Sequence, residues 1–569
     1  MKRLLVRGVF LLAAALPSFA HAAFTPSPIP PYAHGVVVSA SPLASDAGIE
    51  IMKAGGNAID GAVATAFALA VVYPEAGALG GGGFAVVHRE GVGDLAFDFR
   101  EVAPTAAYTA MFLDSTGTPD PKLSLESCRA AAVPGGVDGL LRLWQQQGSG
   151  QISRRALLAP AIRLARDGFR LPVDVAQDLN EHRAAFARSE AATRIFVRAD
   201  HAEWKAGDLL VQTDLANTLD RIAAEGRAGF YLGQTAELIR ATMLRGGGLI
   251  SLDDLDEYHA ELRAPLRGSF RGREIVVMPP PSSGGILLLQ MLAMLERFPL
   301  DRVARDRVEW PHLFTEVARR AYADRAVHLG DPAFAVVPEH GLLEPRYVEA
   351  RAASISLTRA TPSDSVAAGD AEHYESDQTT HLSVLDAAGN AVALTATLND
   401  TFGSGIVVEG AGFLLNNEMD DFSAKPGTTN LYGLTGGQAN RIEPKKRPLS
   451  SMTPTLVLRD GKVEMALGSP GGPRIITSVL QVLIDCLVRE VPLGTAVATP
   501  RIHAQWQPDL LYYEEGALTD STIARLGGMG HEVVPYANRW IGRVNGATRE
   551  DGGLIGSPDP RGGNAARGF

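Results

Sequence analysis

The chain has 569 residues, of which 46% are hydrophobic and 21% charged, enough to bury a large core. Its 53 basic and 64 acidic residues give a net charge of −11 and form no basic stripe, which argues against a nucleic-acid footprint. Two cysteines, Cys128 and Cys486, rule out dependence on a disulfide framework; buried thiols are the simplest reading, with one bridge left open.

At the N-terminus, Lys2, Arg3 and Arg7 precede an apolar run, Val9 to Leu16, and then Pro17 and Ala20-His21-Ala22. This is the pattern of an export signal covering residues 1–22. Its removal takes three basic and no acidic residues and moves the charge from −11 to −14. The run is too short to span a bilayer, and no lipid-accepting Cys follows it. The expected product is secreted, to the periplasm, without a membrane anchor.

Residues 23–32 are Pro-rich and read as an extended lead-in. A helix is expected over Asp46–Lys53, and a second, capped by Asn57, over Ala58–Val72 before Tyr73-Pro74. The small residues of the second suit close packing on a sheet. The run Gly80-Gly81-Gly82-Gly83 lacks the Lys-Ser/Thr of a phosphate loop, so close backbone approach or unusual dihedrals explain it better. It leads into a hairpin, Phe84–His88 and Leu95–Arg100, whose alternation puts Ala96, Asp98 and Arg100 on one face. Residues 150–350 are helix-rich, with clear segments at Arg154–Asp167, kinked or restarted at Pro160, and at Trp310–Ala326. The stretch Thr361 to Ser376 is rich in Ser, Ala, Asp, Glu and Gly and reads as an exposed connector. Hairpins follow at His381–Asp386 with Ala391–Leu398, and at Thr455–Leu458 with Val463–Leu467, then a helix at Ile475–Val488. Blocks of hairpins and helices predict an α+β chain of stacked antiparallel sheets covered by helices, not a doubly wound parallel sheet.

Chemistry concentrates at Asp377-Gln378-Thr379-Thr380-His381, between the connector and a strand. If the 378–379 bond opens, Thr379 gains an α-amine beside its own hydroxyl. An α-amine titrates near pH ~8 and can take the hydroxyl proton, so nucleophile and base belong to one residue. Taken alone, the motif also fits the plain start of a strand. The scattered His residues show no zinc spacing, there is no G-x-S-x-G elbow, and Cys128 lacks a catalytic-thiol signature. Thr379 is then the leading nucleophile candidate. Gly471-Gly472 can offer N–H groups to an oxyanion. Arg100 suits a carboxylate. Ser450-Ser451 can donate hydroxyls, and Asn399, Glu418 and Asp421 can accept from an ammonium. Each also has an ordinary structural reading as turn, surface ion pair or solvated loop.

The ordered set Gly80–Phe84, Asp98-Phe99-Arg100-Glu101, Asp377–His381, Thr397-Leu398-Asn399, Asn416–Phe422, Arg447–Met452 and Gly468–Gly472 resembles the γ-glutamyltransferases (glutathione hydrolases) over about Ala33 to Arg561. The resemblance implies an N-terminal-nucleophile hydrolase, an αββα sandwich whose precursor cuts itself between Gln378 and Thr379. A large subunit, 23–378, and a small subunit, 379–569, would stay together as a heterodimer. It further implies Thr379 as nucleophile, Thr397 as its orienting partner, and Gly471 and Gly472 as oxyanion hole. Arg100, Ser450 and Ser451 would hold an α-carboxylate, and Asn399, Glu418 and Asp421 an α-ammonium. Tyr432 would belong to a lid over the site. Position 418 is Glu where other members carry Gln. The implied substrates are glutathione and other γ-glutamyl compounds, with water, amino acids or peptides as acceptors and no metal or cofactor. Two rivals are a cephalosporin (glutaryl) acylase on the same scaffold and an uncut exported binding protein.

Overall fold

Strand alternation builds the centre of the molecule. In Gly35–Ser39 (β1), Val36 and Val38 face one side and Val37 the other, and all three are fully buried. The computed structural model describes residues 30–369, 380–425, 438–537 and 540–569. The expected signal at 1–22, the Gln378-Thr379 pair and Tyr432 lie outside these.

Two sheets carry the architecture. The seven-stranded one uses β1, Gly82–Arg89 (β2), Gly93–Phe99 (β3), Glu261–Arg263 (β4), and later Thr380–Asp386 (β7), Ala391–Thr397 (β8) and Ala565–Gly568 (β13). The six-stranded one uses Leu266–Phe270 (β5), Arg273–Val277 (β6), Thr455–Arg459 (β9), Lys462–Gly468 (β10), Asn545–Glu550 (β11) and Gly553–Ser557 (β12). Their orders are β13-β1-β7-β8-β2-β3-β4 and β12-β11-β10-β9-β6-β5, antiparallel throughout.

One face of the larger sheet packs Val37, Ala85, Val87, Phe97, Leu382 and Leu394 against helices that include Pro42–Lys53 (α1), Ala58–Val72 (α2), Gly136–Gln147 (α3) and Arg154–Arg166 (α4). The opposite face packs Val36, Val38, Phe84, Val86, Leu385 and Ala393 into a cluster with the six-stranded sheet. That cluster continues into Gly284–Leu295 (α5), Glu309–His328 (α6) and Arg474–Leu487 (α7). The result is helix, sheet, sheet, helix, as expected.

Local signals explain most elements. Asn57 accepts from the backbone N–H of Ile59 and Asp60, and Asp60 returns the bond to Asn57, so α2 starts in a capping box. All fifteen residues of α2 are buried, as its Ala-rich sequence requires. Pro160 sits inside α4, which runs through it as one helix. The described part of the connector, 361–369, is exposed at Pro362, Asp364, Ser365 and Ala367, as expected, but it is also anchored. Ser363 and Val366 are buried, and Thr361–Gly369 is pinned by Glu316, Arg319, Asp324, His328 and Asp509. Its small polar residues are short enough to lie on buried charges, which composition alone does not reveal. Cys128 and Cys486 are free thiols, and burial raises both pKa values, Cys486 to about 12.

Candidate active site

Register brings one end of each sheet together. Thr380 pairs with Ala396, Thr397 with Gly82, and Gly83 with Phe99, so the starts of β7 and β2 lie beside the ends of β8 and β3. In the other sheet Thr455 pairs with Leu467, placing the loop before β9 next to the turn after β10. The two ends meet at His381: a Cβ on Gly468 would lie 2.5 Å from its ring.

The glycine run makes this convergence possible. Added Cβ atoms at Gly80, Gly81, Gly82 and Gly83 would stand 1.9, 2.0, 2.4 and 2.2 Å from the carbonyl oxygens of Leu414, Thr397, Phe99 and Thr395. Close backbone approach, rather than unusual dihedrals, is therefore what the four glycines serve.

Arg100 follows β3 and is fully buried, as are Glu101, Glu418 and Asp421. Its guanidinium donates to Glu418 and Asp421 in short charged contacts, and to the carbonyls of Pro448 and Leu449 at 3.0 and 3.2 Å. Glu101 lies 3.5 Å from the same group. Asp98 fixes the Arg100 backbone N–H at 3.0 Å and pairs with Arg263 and Arg447. Thus three fully buried carboxylates share one guanidinium. Burial holds Glu418 well above the usual carboxylate range, with Arg100 opposing and Glu101 and Asp421 adding. Burial likewise pushes Glu101 up to about 7. Burial works against the charge of Arg100, but Glu418, Asp421 and Glu101 outweigh it and raise its pKa.

Glu418 to Asp421 forms a single 3-10 turn, held by Asn416, which accepts from the Glu418 N–H and donates to the Gly80 and Ala132 carbonyls. Asn440 donates to the Asp421 carbonyl and accepts from the Leu449 N–H, tying this turn to the Ser450-Ser451 loop. Asn399 adopts φ +72°, donates its backbone N–H to Thr397 Oγ1 at 2.8 Å, and its Oδ1 is buried with no donor among the described residues. Gly471 and Gly472 have φ of +126° and +67°, two successive positive-φ positions that only glycine adopts freely, just ahead of α7. His381 is fully buried between Thr395 and Ser383, and burial pushes its pKa down to about 3, so it is neutral.

The structure thus gathers Arg100, Glu418 and Asp421 into one cluster, links Ser450-Ser451 to it through Asn440, and sets Thr397 and Asn399 at the same sheet end. Reading the sequence missed Asn416 and Asn440 as supports, and Arg325, whose guanidinium reaches Ser451. A separate cluster, His312, Glu316 and His531, brings three potential metal ligands within 4.8 Å. Its atoms are already engaged: the two rings bond each other at 2.7 Å, and Glu316 holds Arg319, Arg320 and Thr361.

The model of the family described as gamma-glutamyltranspeptidase matches residues 44–569. The chain belongs to the γ-glutamyltranspeptidase family. It is 42% identical to a glutathione hydrolase proenzyme of Escherichia coli (strain K12), over 97% of both chains. To a proenzyme of the same name from Pseudomonas aeruginosa it is 44% identical, over 98% of this chain and 97% of the relative. Among solved structures, the gamma-glutamyltranspeptidase of Helicobacter pylori is similar at 42% identity and a TM-score of 0.59, covering 60% of this chain and 97% of that one. A cephalosporin acylase from Bacillus halodurans shares the fold, at a TM-score of 0.85 and 24% identity, over 97% and 98% of the two chains. The N-terminal-nucleophile fold expected from the sequence is therefore the fold of this transpeptidase family member. No described helix is long and apolar enough to cross a membrane.

Proposed function

We propose that the chain is an exported γ-glutamyltransferase that matures by cutting itself between Gln378 and Thr379 into subunits 23–378 and 379–569. The observation that carries the reading is the buried Arg100–Glu418–Asp421 cluster beside Ser450-Ser451, in a member of this family. A γ-glutamyl head is a zwitterion. It can enter by exchange of partners, its α-carboxylate turning to Arg100, Ser450 and Ser451 and its α-ammonium to Glu418, Asp421 and Asn399.

In maturation, the Thr379 hydroxyl attacks the Gln378 carbonyl, the C–N bond breaks, and an ester forms with the α-amine released. Water hydrolyses that ester. In turnover, the α-amine takes the hydroxyl proton as Oγ attacks the γ-amide carbon. The oxyanion is held by the N–H groups of Gly471 and Gly472, and Thr397 orients the nucleophile. The leaving amine, such as cysteinylglycine from glutathione, departs with the proton. Water or the amine of an amino acid or peptide then takes the acyl group from the ester. Tyr432 serves as part of a lid over the bound head.

The test is Thr379→Ala. It should leave one unbroken chain on a denaturing gel and no release from a γ-glutamyl anilide, whereas wild type gives two pieces, the smaller beginning at Thr379. Cleavage that persists in this variant overturns the reading. A glutaryl acylase is the second reading, favoured by the fold likeness to the cephalosporin acylase. It gives Glu418 and Asp421 no ammonium to meet, and faster turnover of glutaryl than γ-glutamyl substrates would establish it instead.

A further inference from the structure

On the γ-glutamyl reading above, helix α6 reaches the substrate's carboxylate subsite from behind. Arg325 projects from the last turns of this helix and is 1% exposed. Its Nε–H donates to Ser283 Oγ at 2.9 Å and its Nη2–H to Ser451 Oγ at 2.5 Å. Ser283 passes its own proton to the Ser450 carbonyl at 2.7 Å, and its N–H donates to the same oxygen at 2.6 Å. One guanidinium therefore grips both the support of the Ser450-Ser451 loop and the side chain of Ser451.

A hydroxyl has one proton and two lone pairs. Because Arg325 donates to Ser451 Oγ, the Ser451 proton must point elsewhere, and among the described residues no acceptor engages it. The neighbouring Ser450 Oγ is treated alike, accepting from the Met452 N–H at 3.2 Å. Donation from a cation also polarises the O–H bond and strengthens it as a donor. We propose that Arg325 is a positioning residue that commits Ser451 to donate, and so selects substrates whose α-substituent is a carboxylate. A carboxylate accepts at both oxygens. An α-carboxamide presents an NH2 group in one of its two orientations, which a committed donor meets with no acceptor.

The experiment is a double-mutant cycle on the processed enzyme with γ-glutamyl-4-nitroanilide and its α-carboxamide analogue. Arg325→Gln and Ser451→Ala should each raise KM for the acid by about ten-fold, the scale of one hydrogen bond to a charged group, with kcat much less changed. If Arg325 acts through Ser451, the double variant resembles Ser451→Ala alone. The acid-to-amide ratio of kcat/KM should fall in Arg325→Gln, a change that general loosening of the fold would not produce. Multiplying KM effects, or a wild-type ratio in the variant, overturns the proposal. Should Arg325→Gln yield no processed enzyme, the ratio is read on Ser451→Ala, which removes the committed hydroxyl and leaves Arg325 in place; a wild-type ratio there also overturns it. Wild type inactive on both substrates would instead defeat the γ-glutamyl reading.

Discussion

Replacing Arg100 by Ala should do more than weaken substrate binding. The side chain is the cation to which Glu101, Glu418 and Asp421 are paired, and all four groups are fully buried. Without it, three carboxylates remain in a pocket that disfavours even one unpaired charge. Breaking a buried pair by removing one partner costs about 3–5 kcal/mol. The carboxylates can answer only by taking up protons, which Glu101 and Glu418 already favour. Their folded pKa values stand above the unfolded ones, so the folded state binds more protons and stability rises as pH falls through the folded values toward the unfolded one. The Arg100→Ala penalty should therefore be largest near pH 8 and shrink near pH 5.5. Urea unfolding of wild type, Arg100→Ala and Arg100→Ala/Glu418→Gln at both pH values measures this, and the second replacement should recover part of the loss. A penalty under about 0.5 kcal/mol at pH 8, or one that grows on acidification, refutes the reasoning.

Gly81→Ala sets a methyl 2.0 Å from the Thr397 carbonyl, and should cost about 1–3 kcal/mol or more with a matching loss of kcat. Gly527→Ala, a helical site with open space around it, should be neutral or stabilising by up to ~1 kcal/mol in the same melting assay. His381 has a folded pKa of about 3 against 6.5 unfolded, so the unfolded chain binds the extra proton. Its contribution is complete above pH 6.5 and declines as pH falls toward 3, amounting to a loss of about 2 kcal/mol at pH 5. His381→Gln should lose correspondingly less stability between pH 7.5 and 5 in urea titrations, and an equal loss counts against a neutral buried ring. Asn57→Ala removes the cap of α2 and should cost about 1 kcal/mol, read as a lower melting temperature.

What could be read in advance was what the sequence encodes locally. The hairpins at β2–β3, β7–β8 and β9–β10 announce themselves by alternation and turn residues, and α2 by Asn57 and Pro74. The polar kit was found because its motifs are contiguous. What escaped depends on partners far along the chain. Helix α6 carries Glu316, Arg319, Arg320, Asp324 and Arg325, a composition that suits a solvated face, yet all five are buried. Their partners, among them Ser283, Ser354, Thr361, Ser451 and Asp509, come from four other segments. The pairing of β13 with β1 joins the two ends of the described chain, and nothing in Ala565–Gly568 marks it as a strand of the central sheet.

The order of the seven-stranded sheet has a consequence for any chain opened between Gly369 and Thr380. Reading across it, strands from before and after that gap are shuffled: β13 is late, β1 early, β7 and β8 late, and β2, β3 and β4 early. Three of its six seams, β13–β1, β1–β7 and β8–β2, therefore join the two pieces. Scission frees two ends without freeing two bodies. Each fragment alone would turn the central sheet into a comb with missing teeth, although four strands of the smaller sheet, β9 to β12, stay together on the late piece.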